Sequence, residues 1–425
     1  MTKNEQNSKH KIINSHYVPV QTLKRFGETL CLFNVQTGEY SENVPIKTAF
    51  SKKGFYSNEI EEKLNLKIES QFGRLFAEKL VKCEKVVELS RKELRIVKKF
   101  LLISVIRSMG SGPFLENEKH YYEQLRAEWF RYAKQMGVSQ SEAEKNVPKA
   151  PFEEKQIDGE TAFDYWMRTL DVILSSDGSP EAILKNPNKT YPAYRWSQVI
   201  NSGYLAFWDS SFDKNEYVIT DVGMTSENEV GWNGFSNFNR KKTDFLKDLL
   251  ENEKDDLMKK EIFKCLSMHS YFTENFMMFP ISAKRMIVEI DPFYKFRHYY
   301  RNRYQMPKLE GLTEMVNEQL FEPNDCKYVL PQEGLEHKYD DGDKYIYEIK
   351  KLTDKETIYC NELFLDRIEN HLGFSSLGKV AKSLIIYKKR NSFPYVPRKD
   401  YKELYDLINE RFQGSLDLST ILLNR

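Results

Sequence analysis

Apolar and polar positions along the chain repeat with two different periods, and each period predicts a different element. Between Asn58 and Leu80, Ile60, Leu64, Ile68, Phe72, Leu75 and Phe76 fall three or four apart, which puts them on one side of an amphipathic helix. Ser90 and Glu93 have the spacing of a capping box, where each side chain bonds the other residue's backbone amide. The helix they start, "LRIVKKFLLISVIRSMGSGP", runs to a Gly110-Ser-Gly-Pro stop. Its later turns are apolar nearly all round, so it is expected at the centre of the fold. Arg107 lies on its stripe with Ile96, Phe100 and Ile103.

Four more stretches read as helices: "AFDYWMRTLDVIL", the charged run from Lys241 to Ser270, "DKETIYCNELFLDRIENHLGF" and "YKELYDLINERF". "TLCLFNVQTGEY" predicts a hairpin, with Leu30, Leu32 and Val35 in strands and Gln36-Thr37-Gly38 in the turn. "NFMMFPISAKRMIVEIDPFY" reads as strand, turn, strand. The aromatic and β-branched content of "YRWSQVINSGYLAFWD", "NEYVITD" and "KSLIIYKKR" suits strands. The expectation is an α+β fold: one large, mostly helical domain with a mixed or antiparallel sheet of a few strands. Residues 1–14 form a polar N-terminus expected to be flexible. The main domain spans 15–390, with a candidate helical subdomain at 114–190, and 391–425 form a C-terminal helical segment. There is no internal repeat.

Composition sharpens this picture. Apolar residues make up 40% of the chain and include 27 Phe and 25 Tyr, enough large side chains for a core and against global disorder. Lys and Arg number 64 against 63 Asp and Glu, which argues against a general polyanion binder. Cys31, Cys83, Cys265, Cys326 and Cys360 are odd in number and form no CxxC, so free thiols in a reducing compartment are expected. No apolar run nears the ~20 residues that span a bilayer, and the start lacks a signal peptide's apolar segment. A cytoplasmic protein with no membrane partner is expected, and its oligomeric state stays open.

Several polar residues are candidates for chemistry. His16, within "SHYVPVQTLKRF", has the proton affinity of a general base. Some nuclease fingers open on a similar His-x-x-Pro strand, but they carry a His or Asn ligand set on the next helix. Here that helix offers Asn58, Glu59, Glu61 and Glu62 and no His. Arg107 at its helix end suits a phosphate or carboxylate, or else its own helix carbonyls. Asp221 follows the strand "YVIT" and, with Glu227, could hold a divalent metal, the one cofactor considered. Ser282, between Pro280 and the cations Lys284 and Arg285, could grip a phosphate. In "KFRHYYRNRYQMPK", Arg297, Arg301 and Arg303 interleave with aromatic rings, as single-stranded nucleic acid binding requires. Asn361 opens "NELFLDRIENH", where it reads as an N-cap. Glu362, Asp366 and Glu369 share a face expected to be solvated. No Walker loop, GxGxxG, HExxH, GxSxG or kinase signature occurs.

In order, these segments resemble the bacterial and fungal family catalogued as domain of unknown function 4238. Its members open on His-Tyr-Val/Ile-Pro and continue to Leu, a basic residue and Phe, matched by His16, Tyr17, Val18, Pro19, Leu23, Lys24, Arg25 and Phe26. Glu69, Arg107, Thr220, Asp221, Pro280, Ile281, Ser282 and Asn361 match the later motifs, and the resemblance spans roughly residues 12 to 380. Ser15 stands where members often have a second His, and the loop reads Thr-Asp-Val-Gly-Met in place of Thr-Ser-Asp-Asn-Pro. The resemblance implies a recurring polar set that includes Tyr17, but no reaction.

The leading expectation is an intracellular effector acting on nucleic acid, a toxin-like, nuclease-type phosphodiesterase suited to anti-phage defence. In it His16 is the base, Asp221 the metal ligand or orienting acid, and Arg107 the phosphate clamp. The alternatives are an ADP-ribosyltransferase-like toxin using a nicotinamide dinucleotide, and a non-enzymatic nucleotide- or nucleic-acid-binding sensor.

Overall fold

A computed structural model of the chain describes residues 14–108, 137–145, 159–175, 179–185, 191–228, 275–290, 327–328, 344–389 and 399–412, with isolated positions between 127 and 134 and between 251 and 254. The fold is α+β. The strands are β1 (Asn14–His16), β2 (Thr29–Asn34), β3 (Tyr40–Pro45), β4 (Ser51–Lys53), β5 (Val86–Ser90), β6 (Tyr204–Asp209), β7 (Ile219–Thr220), β8 (Thr225–Asn228), β9 (Asn275–Pro280), β10 (Arg285–Ile290), β11 (Lys327–Tyr328), β12 (Lys344–Lys351) and β13 (His371–Phe374). The helices are α1 (Val20–Leu23), α2 (Asn58–Lys63), α3 (Ser70–Leu75), α4 (Arg91–Ser108), α5 (Gln140–Lys145), α6 (Ala162–Leu174), α7 (Pro180–Lys185), α8 (Tyr191–Ser202), α9 (Asp354–Arg367), α10 (Leu377–Lys389) and α11 (Lys402–Phe412).

The main sheet runs β11-β12-β6-β10-β9-β8, with β5 also paired to β12. Its pairs are antiparallel except β12 with β6. Alternate side chains of a strand leave on opposite faces, and the cores follow that rule. Leu205, Phe207, Met277, Phe279 and Ile287 join the core beneath α3, α4, α6 and α8. Their neighbours Ala206, Trp208, Met278, Met286 and Val288 join the core beneath α9, α10 and α11. The sheet is therefore covered by helices on both faces. A four-stranded sheet, β3-β2-β13-β7, and the β1-β4 pair flank it. A third core beneath the N-terminal motif gathers Val18, Leu23, Phe26, Leu30, Ile46, Phe50 and Ile219.

The capping box forms as expected: Glu93 Oε2 accepts from the Ser90 amide at 2.8 Å, and Ser90 Oγ from the Glu93 amide at 3.3 Å. α4 is central, with Val97, Leu101, Leu102 and Ile106 at 0% exposure. The helix expected over 58–80 runs through α2 and α3 with wider π-type turns at Leu64–Glu69 and Phe76–Leu80. The hairpins 29–40 and 275–290 form in the expected places.

Three expected elements change type. "YRWSQVIN" belongs to α8: Pro192 sits in its first turn, where its missing N–H costs nothing, and the buried Ala193, Ser197 and Ile200 are spaced for a helix. "KSLIIYKKR" belongs to α10, because Leu377, Val380 and Ala381, upstream of it, start a helical apolar spacing that Leu384 continues. The end of the stretch expected as one helix, "HLGF", is strand β13. Gly373 lets it lie close to Phe50, since a Cβ there would come within 2.7 Å of the Phe50 ring.

Candidate functional site

The N-terminal motif begins as an edge. Asn14, Ser15 and His16 pair with Lys53, Lys52 and Ser51, and the Tyr17 amide donates to the Phe50 carbonyl at 3.1 Å. Phe50 holds φ +50°, a left-handed conformation that a bulky side chain rarely adopts. Such strain persists where the surroundings fix it, here the packing of the Phe50 ring on Gly373 and Tyr17. Ser15 is buried on one face of the strand, while the His16 ring turns toward the Ile46 carbonyl, 3.2 Å from Nε2. Facing a carbonyl, Nε2 must be the donor, which leaves Nδ1 as the basic nitrogen of the neutral ring. The Tyr17 ring is wedged against Phe50 and Phe55.

Arg107 reaches this strand from α4. It is 6% exposed, and all three guanidinium nitrogens are engaged. Nε donates to Tyr56 Oη at 2.8 Å, Nη1 to Glu69 at 3.2 Å, and Nη2 to the backbone carbonyl of His16. Arg107 thus neither ends in open space nor caps its own helix; it ties α4 to the motif. Burial pushes the Tyr56 phenol up to about 12, against the pull of the Arg107 charge.

Asp221 closes a different junction. Its carboxylate accepts from the Glu369 and Asn370 amides at 3.2 and 2.6 Å, while its own amide donates to the His371 carbonyl. It therefore fastens β7 to the turn between α9 and β13. Its charge adds to burial in pushing the Tyr17 phenol far above its ordinary value. Burial, and then Asp221, also raise the Glu369 carboxyl. Gly223, at φ +72°, lets the loop turn back, with its amide on the Thr220 carbonyl at 2.9 Å and its backbone against Val18.

These segments line one narrow cleft, partly open to solvent, whose enclosed volume is about 10 Å³. Tyr17, Val18, Pro19 and Thr22 form one wall. Phe100, Ser104 and Arg107, at i, i+4 and i+7 of α4, form another. Val222 with Gly223 and Phe279 with Pro280 complete it. The lining begins at Tyr17, not at His16.

Residues 14–367 match the model of the family described as Protein of unknown function (DUF4238). The chain belongs to that family. No curated protein and no solved structure matches it. Every wall of the cleft lies within the DUF4238 match, which runs from β1 to the end of α9.

The remaining candidates of this DUF4238 protein fall in other places. Ser282 is buried in the β9–β10 turn, its hydroxyl accepting from the amides of Lys284 and Arg285 at 3.2 and 2.8 Å. Arg285 pairs with buried Asp209 through two bonds of 2.6 and 2.8 Å and donates to the Leu80 carbonyl. Of the two cations near Ser282, only Lys284 is exposed. Asn361 requires a correction. It sits mid-helix and fully buried, because the capping box that starts α9 is Thr353 with Glu356. Its Oδ1 accepts from the Val218 amide at 3.1 Å, and its Nδ2 donates to the Glu216 carbonyl and Ser383 Oγ at 2.8 and 3.0 Å. It thus acts as a strand partner for 216–218, the segment that leads to Asp221. The face expected to be solvated is corrected at two of its three positions: Glu362 and Asp366 are 2% and 9% exposed, since α9 packs against α10, β7 and β8, and Asp366 accepts from Tyr387 Oη, while Glu369 is exposed.

Arg297, Arg301, Arg303, Cys265, Cys326 and the Glu227 side chain lie outside the described residues. Among the described residues, Cys31, Cys83 and Cys360 form no disulfide, no group of three His, Cys, Asp or Glu is placed to hold a metal ion, and no helix is long and apolar enough to cross a membrane. Sequence reasoning missed Tyr56, Ser104 and Gly223. Ser104 alone carried a signal, since it falls on the Phe100–Arg107 stripe.

Proposed function

We propose that the cleft beside the His-Tyr-Val-Pro motif is a binding site for a nucleotide or a stretch of single-stranded nucleic acid. The observation that supports this most is the meeting of four chain-distant segments around one opening that mixes an aromatic ring and hydroxyls, with the buried Arg107 in its wall. Tyr17, half-buried, supplies an aromatic ring, Phe100 and Phe279 reach the lining from the core, and Thr22 and Ser104 supply hydroxyls. Apolar walls with a few placed polar groups are the usual make-up of a ligand site, and ring-on-base stacking tolerates any base.

A second reading, phosphodiester cleavage, is favoured by one observation. The Ile46 carbonyl engages His16 Nε2 and so leaves Nδ1 as the ring nitrogen open to accept a proton, as a general base needs. One experiment addresses both readings. Thermal unfolding is followed against the common ribonucleotides and short single-stranded oligonucleotides with divalent metal present, and the same mixtures are assayed for cleavage products. Stabilisation without products supports binding alone. Products that disappear in a folded His16→Ala protein support the phosphodiesterase. No shift and no products would remove both.

A further inference from the structure

Glu61 is an acid in an unusual place for a residue of an amphipathic surface helix. It is 8% exposed, whereas its neighbours Glu59 and Glu62 face solvent. Its Oε2 is buried without a well-formed hydrogen bond, and so is Ser15 Oγ on the facing strand. Burial does most to hold its proton, and Glu69 adds to it, while Arg107, Ser15 and Asn65 pull the other way; the net result is a carboxyl raised above its usual range. From α4 the facing charge is Arg107, from the π-type turn it is Glu69, and from the segment before α2 it is the Tyr56 phenol, which also feels Glu61. From β1 Ser15 approaches, while the His16 carbonyl takes its bond from Arg107 and the His16 ring bonds Ile46. Lys63 turns to Glu59 and Asp171 on the outer side of α2.

The charges around Arg107 therefore balance in one protonation state only. With Glu61 protonated, Arg107 and Glu69 cancel. With Glu61 ionised, a net negative charge lies behind the one cation that lines the cleft. We propose that Glu61 is a positioning residue that sets, through Arg107, the charge of ligand the cleft accepts: an anionic group enters while Glu61 is uncharged and is disfavoured once it ionises. This rests on the cleft being the binding site proposed above. A group with a raised proton affinity keeps its proton as pH climbs past the ordinary carboxylate range and then loses it, so affinity for an anion must fall as pH rises.

The test uses the full chain with two probes: the dinucleoside monophosphate ApA, whose phosphodiester keeps one charge throughout, and uncharged adenosine. For the wild type, ApA affinity is expected to fall about tenfold between about pH 5 and about pH 8, while adenosine affinity stays within about twofold. Glu61→Gln, an uncharged mimic of the protonated acid, should bind ApA with no such fall. Glu61→Asp should restore it. An equal fall in Glu61→Gln, or none in the wild type, overturns the proposal and leaves the binding site standing. Failure of wild type to bind either probe at every pH removes the binding site and the proposal together.

Discussion

Replacing Arg107 with methionine is expected to lower the unfolding free energy by about 3–5 kcal/mol, the cost of removing one partner from a buried ion pair. The size follows from what the change leaves behind. Glu69 loses its counter-ion, Tyr56 Oη loses a charged donor, and the His16 carbonyl loses its partner, all in a region where Arg107 itself is 4% exposed along its side chain. Methionine restores most of the apolar stem, so a packing defect contributes little. Urea denaturation measures the difference. Adding Glu69→Gln to Arg107→Met should recover part of the loss, because it removes the stranded charge; a double-mutant cycle with no coupling would contradict the pairing. A loss below about 1 kcal/mol for Arg107→Met would mean that its pairing with Glu69 is worth no more than an exposed one.

Asn361→Leu is expected to have a comparable effect by a different route. The side chain fits a helix interior, but the Val218 amide and the Glu216 carbonyl lose the partner that Asn361 provides. Each buried unpaired group costs about 1–3 kcal/mol. The change should also loosen the path to Asp221, because 216–218 lead directly into β7. Hydrogen exchange at the Val218 and Asp221 amides should therefore quicken more than exchange within α4. Uniform quickening across the molecule would show that Asn361 supports the fold as a whole and not this segment.

How far the sequence revealed the fold depended on whether an element's signal was local. The Ser90–Glu93 box, the 58–80 stripe and both hairpins were legible because spacing and turn chemistry define them. α10 was lost because a window opened at Lys382 cuts the helix after its first apolar turn, leaving "SLIIY" to read as a strand. β13 was lost because His371–Phe374 becomes a strand only by pairing with β2 and β7, which lie far away in the chain. The site follows the same division. His16, Tyr17, Arg107 and Asp221 are legible as a set, yet beside Tyr56 and Glu69 their partners are backbone groups no residue code announces: the carbonyls of His16 and Ile46 and the amides of Glu369 and Asn370. Glu61 was visible only as one acid among several on its helix. Its burial comes from β1 and α4 closing over one side of that helix, and periodicity does not report that.

The central claim is that ligand occupies the cleft between the motif and α4, and a substitution that fills the cleft tests it most directly. Ser104→Leu suits the helix, since Ser104 makes only an intrahelical bond to the Phe100 carbonyl, at 2.9 Å, and it extends an apolar side chain into the opening. Affinity for a short single-stranded oligonucleotide should fall at least about tenfold in Ser104→Leu, with the unfolding midpoint of the unliganded protein nearly unchanged. Unchanged affinity in a folded Ser104→Leu protein would contradict the account and place the ligand elsewhere.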